Sequence, residues 1–465
     1  MSYIKDAKEI TDLIFKEEKI YSYKIIEYPY LLTLYSDVYR FFSLKKVSGT
    51  FKYYNYSLSK FKSYIINSPI YFTAFLYSIF SFFLLLTKKR KIAIWSGDFY
   101  NIKTKSDFRL GNLILELENS KINYFEIIRL RNVDYRTFFF NLFQRRRPVI
   151  YYDCLEPLLH LFKKDLISIN ITNFSNEENN FLSNFFSNHT REKNMFFILK
   201  FIFKKLKVTK FIPWEVSYRQ IYPFLASKNL NIETLGFMHG LSFNTYMSYE
   251  HISYSNKKFS PDIFIVWSEF WKKYFNDQSN NYSRLESWGY LRNNHLKNKL
   301  VKNKNKKKNI LFITEPLIDV DSIYPYIKKI VSNSNFNIIF KLRDQNCFFY
   351  NKLIDKYPEL TKIKTKTGLY SESLKNIDIV IGSHSTAIIE STIFEIPFAV
   401  LNTRKWGDYF EISKDYPNNF ILTPDELEDK ITIILKSKFN HSLFKHKYFG
   451  NNNSLNKILD WIKKK

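Results

Sequence analysis

The sequence predicts an α/β protein: two Rossmann-like domains behind a helical N-terminal region that associates with a membrane. Three observations support this. From residue 91 to the end, short apolar runs of the kind that fill buried parallel strands alternate with helical patterns. A nearly pure Lys/Asn run at 301–308 interrupts the alternation once, as a solvated connector does. The length, 465 residues, exceeds that of one ordinary domain. The expected division is a helical region at 1–90, a first Rossmann-like domain at 91–300, the connector at 301–308, and a second Rossmann-like domain at 309–465.

Residues 1–90 read as helices. Met1 to Lys19 alternates charged with apolar residues in a helical period, unlike a secretory signal. Pro29 ends that pattern and Leu31 to Leu44 forms another. Pro69 to Thr87 is a run of 19 uncharged residues rich in Phe, Leu and Ile, closed by Lys88-Lys89-Arg90-Lys91. Its length is at the lower limit for a membrane span. Spanning would export residues 1–68 with their 11 Lys and Arg, against the positive-inside rule. A helix lying in the cytoplasmic face of the inner (plasma) membrane, its basic end at anionic headgroups, satisfies both constraints and makes the protein peripheral or monotopic. A helix buried against the next domain is the alternative.

The first α/β series opens with Ile92-Ala93-Ile94-Trp95 and the turn Ser96-Gly97-Asp98. Leu110 to Leu117 is helical; Tyr124 to Ile128 and Val149 to Tyr152 are strands. Asn170 to Asn194 is polar and reads as a loop or an exposed helix pair. Phe211 to Glu215 ends another strand, Tyr218 to Lys228 is helical, Ile232 to Met238 is a strand leading into His239-Gly240, and Asp262 to Trp267 is the last. In doubly wound sheets ligands sit at the carboxyl ends of strands, the positions that Asp98, Glu215 and His239 occupy. The second series contains strands at Ile310–Thr314, Phe336–Leu342, Ile379–Ile381, Phe398–Leu401 and Phe420–Leu422, with a terminal helix at Ser454–Lys464.

Its central stretch carries the most chemistry. After Ile379-Val380-Ile381 come Gly382, Ser383, His384, Ser385 and Thr386, and then a helical pattern that includes Glu390. The turn sets hydroxyls and backbone N–H groups at a helix N-terminus, where the helix dipole favours an anion. The plainer alternative is a crossover whose Ser and Thr only cap the helix.

Composition narrows the partners. The chain carries 71 Lys and Arg against 44 Asp and Glu, a net charge of +27. Such a balance suits an anionic membrane face, a phosphorylated substrate or nucleic acid, or it is solvated surface. The basic connector has no interleaved aromatics and no nucleic-acid motif, so nucleic acid is not expected as a partner. Two cysteines, Cys154 and Cys347, make neither a disulfide framework nor a zinc set, which points to a reducing compartment and no metal. Only ten Gly occur where average usage of about 7% gives roughly thirty, so each is expected where the backbone requires it.

Three segments carry a resemblance. Gly236-Phe237-Met238-His239-Gly240 resembles the "HG" motif of CDP-glycerol glycerophosphotransferases and of bacterial capsule and O-antigen transferases. Trp288-Gly289-Tyr290-Leu291-Arg292-Asn293 resembles their "GYPRND" segment, with Leu291 in place of Pro. Ile379 to Pro397 resembles their "DYSS…FD" segment and the "EA…G.P" ending of GT-B donor sites, with Glu390 at the Glu and Pro397 at the Pro. Three departures stand out: Lys341-Leu342-Arg343-Asp344 replaces an HP dipeptide, His384 stands where a small polar residue is usual, and Glu395 takes the place of a Gly.

The resemblance implies a metal-independent GT-B glycosyltransferase without a cofactor, moving a sugar from a nucleotide-activated donor to a growing surface glycan or lipid-linked acceptor. Transfer needs a base for the acceptor hydroxyl and a cradle for the departing phosphate. His239 is the expected base; Asp98 is the competing candidate, and Glu215 either binds acceptor or orients His239. Gly382, Ser383, His384, Ser385 and Thr386 would receive the donor phosphates, Arg292 and Arg343 would add charge-assisted hydrogen bonds, and Glu390 would hold ribose hydroxyls. The alternatives are a polyol-phosphate transferase using a CDP-alcohol and a non-catalytic basic membrane-surface protein.

Overall fold

The computed structural model describes the chain apart from residues 1–2, 49–67, 89–90, 97–99, 102–105, 108–109, 129, 131–137, 140–141, 144–147, 160–161, 215–220, 239, 241–259, 279–282, 292–306, 316–318, 343–346, 369, 405–406, 409, 438, 452 and 465. Two parallel sheets organise it. The first holds β1 (Lys91–Ser96), β2 (Tyr124–Ile128), β3 (Val149–Tyr151), β4 (Val208–Trp214), β5 (Glu233–Phe237), β6 (Ile263–Val266) and β7 (Leu285–Ser287), in the spatial order 7-6-5-4-1-2-3. The second holds β8 (Lys308–Ile313), β9 (Phe336–Lys341), β10 (Lys364–Lys366), β11 (Ile379–Gly382), β12 (Phe398–Leu401) and β13 (Phe420–Ile421), in the order 10-9-8-11-12-13. Counted from each sheet's own first strand, both run 3-2-1-4-5-6, the doubly wound Rossmann order, and the first adds a seventh strand at its edge. This is the two-domain GT-B form that the sequence resembles.

The central strands are apolar because both faces are covered. Every residue of β1, β11 and β12 is buried. Two edge strands escaped sequence reading. β10 is Lys-Thr-Lys with two exposed residues, a charged edge that discourages pairing with another chain. β7 is the three-residue segment Leu-Glu-Ser. Neither contains an apolar run.

The N-terminal helices α1 (Tyr3–Ile14) and α2 (Tyr35–Ser48) belong to the body of the first domain. They pack on α4 (Asn176–His189), the helix before α5 (Asn194–Leu206), through Phe15 against Phe186 and Phe41 against Phe181 and Phe185. Lys45 reaches Glu178 at 2.7 Å. The polar stretch Asn170–Asn194 is thus mostly helix, started by a capping box of Ser175 and Glu178, and its Leu182, Phe185 and Phe186 face the core.

Between α2 and β1 lies α3 (Ser68–Leu86), which is long and apolar enough to cross a membrane. One stripe of it, Ile70, Ala74, Ser78, Ser81 and Leu85, is buried. Ser78 Oγ accepts from Tyr151 N at 3.0 Å and Ser81 Oγ from Val149 N at 3.2 Å. These are alternate residues of β3, whose N–H groups point away from β2 along the sheet edge. The helix therefore closes an edge that would otherwise present unpaired donors.

The last helix, α8 (Ser454–Lys463), packs on the first sheet, although its place in the chain groups it with the second. Ile458, Leu459, Trp461 and Ile462 share a core with Ile92, Ile94, Leu113 and Ile114. Lys210 donates to Trp461 O at 2.5 Å and lies 4.4 Å from its ring centre.

Ser78→Ala and Ser81→Ala are each expected to lower stability by about 1–3 kcal/mol, because each strands a buried N–H of β3. Urea denaturation followed by tryptophan fluorescence reads the effect, and Thr87→Ala at the exposed end of α3 should stay within about 0.5 kcal/mol of the parent.

Candidate functional site

The switch point of a doubly wound sheet lies between its first and fourth strands, where crossovers depart to opposite faces and leave a crevice. In the second sheet these are β8 and β11, paired from Ile310↔Ile379 to Phe312↔Ile381. The turn Gly382–Thr386 leaves β11 at that point. A side chain on Gly382 would come within 2.7 Å of Ile388 Cδ1 and 3.3 Å of Ile313 O, so glycine lets the following helix close onto the sheet.

The residues of this turn divide into two roles. Ser383 is buried, its hydroxyl 2.9 Å from that of Thr403, and it ties β11 to the loop after β12. His384, Ser385 and Thr386 are half-buried. Ser385 is the N-cap of α6 (Thr386–Glu390) by position, yet its side chain makes no capping hydrogen bond. The plain capping role is thus not realised at Ser385. Tyr370 donates to Ala387 O in the first turn, and burial, with Glu390 nearby, holds its phenol well above the ordinary range, so it stays a donor.

The first sheet meets this turn. At the end of β5, a side chain on Gly240 would lie 3.1 Å from Thr386 Oγ1. The carboxyl end of β5 and the N-terminus of α6 thus face each other across the two domains. Four residues further along α6, Glu390 Oε1 accepts from Tyr290 Oη at 2.6 Å. One oxygen of the carboxylate expected to hold ribose is therefore engaged by the first domain.

Tyr290 belongs to a tightly seated joint. Its ring meets Trp267 edge-on at 4.7 Å and Phe449 at 5.2 Å, and Trp267 stacks on Phe449 at 5.5 Å. Phe449 ends α7 (His441–Phe449), whose terminal carbonyls take Ser268 Oγ, Trp271 Nε1 and Tyr290 N. Gly289 and Gly450 have φ of +101° and +66°, and a side chain on either would collide with the carbonyl of Asn451 or Trp267 respectively. Beside the joint, a cavity of about 530 Å³ is lined by Trp267, Glu269, Trp288, His446 and Lys457. It lies at the ends of β6 and β7, strands away from either switch point, so it is not the donor crevice.

His239, Asp98, Glu215, Arg292 and Arg343 lie outside the described residues. The strands they follow are described: β1 and β4, which lead to Asp98 and Glu215, flank the switch point of the first sheet, and β5, which leads to His239, is next to β4.

No family model and no curated protein matches this chain. Solved structures with a similar fold include a UDP-GlcNAc 2-epimerase from Methanocaldococcus jannaschii, at 16% identity over 80% of this chain and 99% of that one, with a TM-score of 0.49. TarM is similar at 12% identity over 82% of this chain and 100% of its own, with a TM-score of 0.48. A UDP-glucose:anthocyanidin 3-O-glucosyltransferase in complex with UDP is similar at 11% identity over 81% and 99%, with a TM-score of 0.47. Each is a likeness in chain path.

Several residues at these strand ends were not singled out from sequence. Glu126, fully buried in β2, accepts from Ser96 at the start of the turn that leads to Asp98. A lone Glu in the apolar run Tyr-Phe-Glu-Ile-Ile was its only signal. Lys341 ends β9 with its side chain buried; burial pushes its ammonium below the ordinary lysine range, and Nζ donates to Leu342 O at 2.6 Å. Tyr290 lay inside a recognised segment, but its partner Glu390 is a hundred residues away and invisible without the fold.

Tyr290→Phe is expected to cost about 1.5–3 kcal/mol, because it removes a donor from a half-buried carboxylate. Gly450→Ala should cost more, since it adds backbone strain to a collision. Urea midpoints of the two variants check the order.

Proposed function

We propose that this protein is a glycosyltransferase, moving a sugar from a nucleotide-activated donor to a growing surface glycan or lipid-linked acceptor on the cytoplasmic face of the membrane. The observation that carries the reading is the approach of Gly240 to Thr386. It supports a shared cleft between a strand end that leads through His239 and a hydroxyl-bearing helix start suited to phosphate. The three resembling segments all border this cleft or its joint.

The chemistry follows from those positions. The acceptor hydroxyl gives its proton to the neutral imidazole of His239 as its oxygen bonds to the anomeric carbon of the donor. The bond from that carbon to the phosphate oxygen breaks, and the nucleoside phosphate leaves with the bonding pair. Ser385, Thr386 and the backbone at the start of α6 receive the developing charge, with Arg292 and Arg343 as additional cationic donors. The buried hydroxyl of Ser383 positions the turn through Thr403. His384 borders the phosphate site from the same turn. Glu390 orients the nucleoside at the joint. Asp98 and Glu215 flank the acceptor side. No metal ion enters this scheme.

Ser385→Ala combined with Thr386→Ala is expected to weaken nucleotide binding by about 5- to 150-fold, the equivalent of about 1–3 kcal/mol. A thermal-shift panel of UDP, GDP, CDP and CMP identifies the nucleotide, and isothermal titration of the double variant reads the loss. Unchanged affinity in a folded double variant removes the turn from the donor site; CDP or CMP binding alone favours a CDP-alcohol or nonulosonate donor.

His239→Ala is expected to lower turnover by about 10²–10⁴-fold while nucleotide binding persists. Asp98→Ala is the decisive comparison. If His239→Ala turns over normally and Asp98→Ala does not, the carboxylate is the base.

A further inference from the structure

The outer side of α3 is the most apolar exposed surface among the described residues. Phe72, Leu76, Ile79, Phe80, Phe83 and Leu84 are each 38–63% exposed, opposite the stripe that closes the edge of β3. The segment that packs over the start of α3 adds Phe139 and Phe143, stacked on each other and also exposed. α5 lies beside α3 and carries two more outward aromatics one turn apart, Phe197 and Phe201, 61% and 56% exposed. Their neighbours Lys204 and Lys205 are exposed as well, and Lys205 Nζ sits 5.7 Å from the centre of the Phe201 ring. Lysine stems along aromatic rings let the apolar part sink while the ammonium stays at headgroup level.

We propose that α3 and α5 together form one in-plane docking face for an anionic lipid surface, which extends the membrane location proposed above to a second helix. Three observations select this occupant and this orientation. First, α3 is fastened lengthwise to the protein: Ser78 and Ser81 satisfy Tyr151 N and Val149 N, and a helix that left to cross the bilayer would strand both donors. Second, the face carries one sign of charge. Neither α3 nor α5 contains an acidic residue, while Lys88 follows α3 and Lys204, Lys205 and Lys207 close α5. Anionic headgroups complement such a rim. Third, a second copy docked on the same face with its helices parallel to these would set the lysines against one another, so the charges that favour lipid disfavour that pairing.

Flotation of the full-length protein with vesicles tests this. Phosphatidylcholine vesicles and vesicles containing phosphatidylglycerol are compared, with urea midpoints as the check on folding. Phe80→Asp/Phe83→Asp and Phe197→Asp/Phe201→Asp are each expected to lower the vesicle-bound fraction by about ten-fold or more. Lys204→Glu/Lys205→Glu should weaken binding to the anionic vesicles only. Full binding by the Phe197/Phe201 variant, with loss in the Phe80/Phe83 variant, overturns the two-helix face and leaves the membrane location standing. Full binding by both, or no binding by the parent protein, overturns the location too. A parent protein that is dimeric without lipid, and monomeric in either aspartate variant, assigns the face to a second copy and overturns the proposal.

Discussion

The joint of Trp267, Tyr290 and Phe449 is the constraint on which the rest of the structure depends. The proposed cleft requires the carboxyl end of β5 and the start of α6 to face one another at a fixed distance. Nothing in either sheet sets that distance. It is set where the chain returns from the second domain to the first, with the backbone of Gly450 against Trp267 O and that of Gly289 against Asn451 O. Both contacts are too close for a side chain, and both glycines have positive φ, so the seat has almost no tolerance. The three packed rings then fill the remaining space, and Tyr290 donates its hydroxyl hydrogen to Glu390 on α6. α6 is thereby held at both ends: Glu390 at the joint and Thr386 beside Gly240.

That arrangement explains why a chain so poor in glycine spends two of its ten at one place. It also links the C-terminal helices to the site. α7 supplies carbonyls to Ser268, Trp271 and Tyr290, and α8 fills the core under β1. A buried cluster runs without a break from Phe41 and Phe185, through Trp267 and Tyr290, to Ile313 and Val380 of the second sheet. Packing at crystal-like density transmits position over such a distance, because side chains have no slack to absorb a shift.

Much of the fold was legible in the sequence for a simple reason: central parallel strands are buried on both faces and so read as apolar runs. Ile92–Trp95, Tyr124–Ile128 and Ile379–Ile381 are of this kind. Within the two parallel sheets the unread strands are edges, Leu285–Ser287 and Lys364–Lys366, where one side faces water and the composition carries no signal. Asn170–Asn194 misled in the opposite direction, because its polar residues include the capping box and the side chains that serve its own loop. Asn179 accepts from Ile171 N, and Ser183 and Ser187 accept from Ile169 N and Ile167 N. At the site, local motifs marked the turn and the strand ends. The pairings Ser383–Thr403 and Tyr290–Glu390 join distant parts of the chain, and no local pattern encodes them.

The 19-residue apolar run shows how one composition serves two physical demands. By length alone it reads as a span, and by flanking charge as a surface helix. The structure adds a third requirement, since the run also has to complete a sheet. Serine at 78 and 81 meets it: a hydroxyl accepts a strand N–H and, at Ser78, donates back to Ala74 O at 2.7 Å, so the polar atoms of the inner stripe are satisfied within the protein. Replacing them by leucine would make the run a better membrane helix and a worse sheet cover. Their presence in the middle of an otherwise apolar segment is therefore a sequence-level mark of a helix that belongs to a domain on one side. On the other side it offers only hydrocarbon, which water solvates poorly and a lipid surface does not.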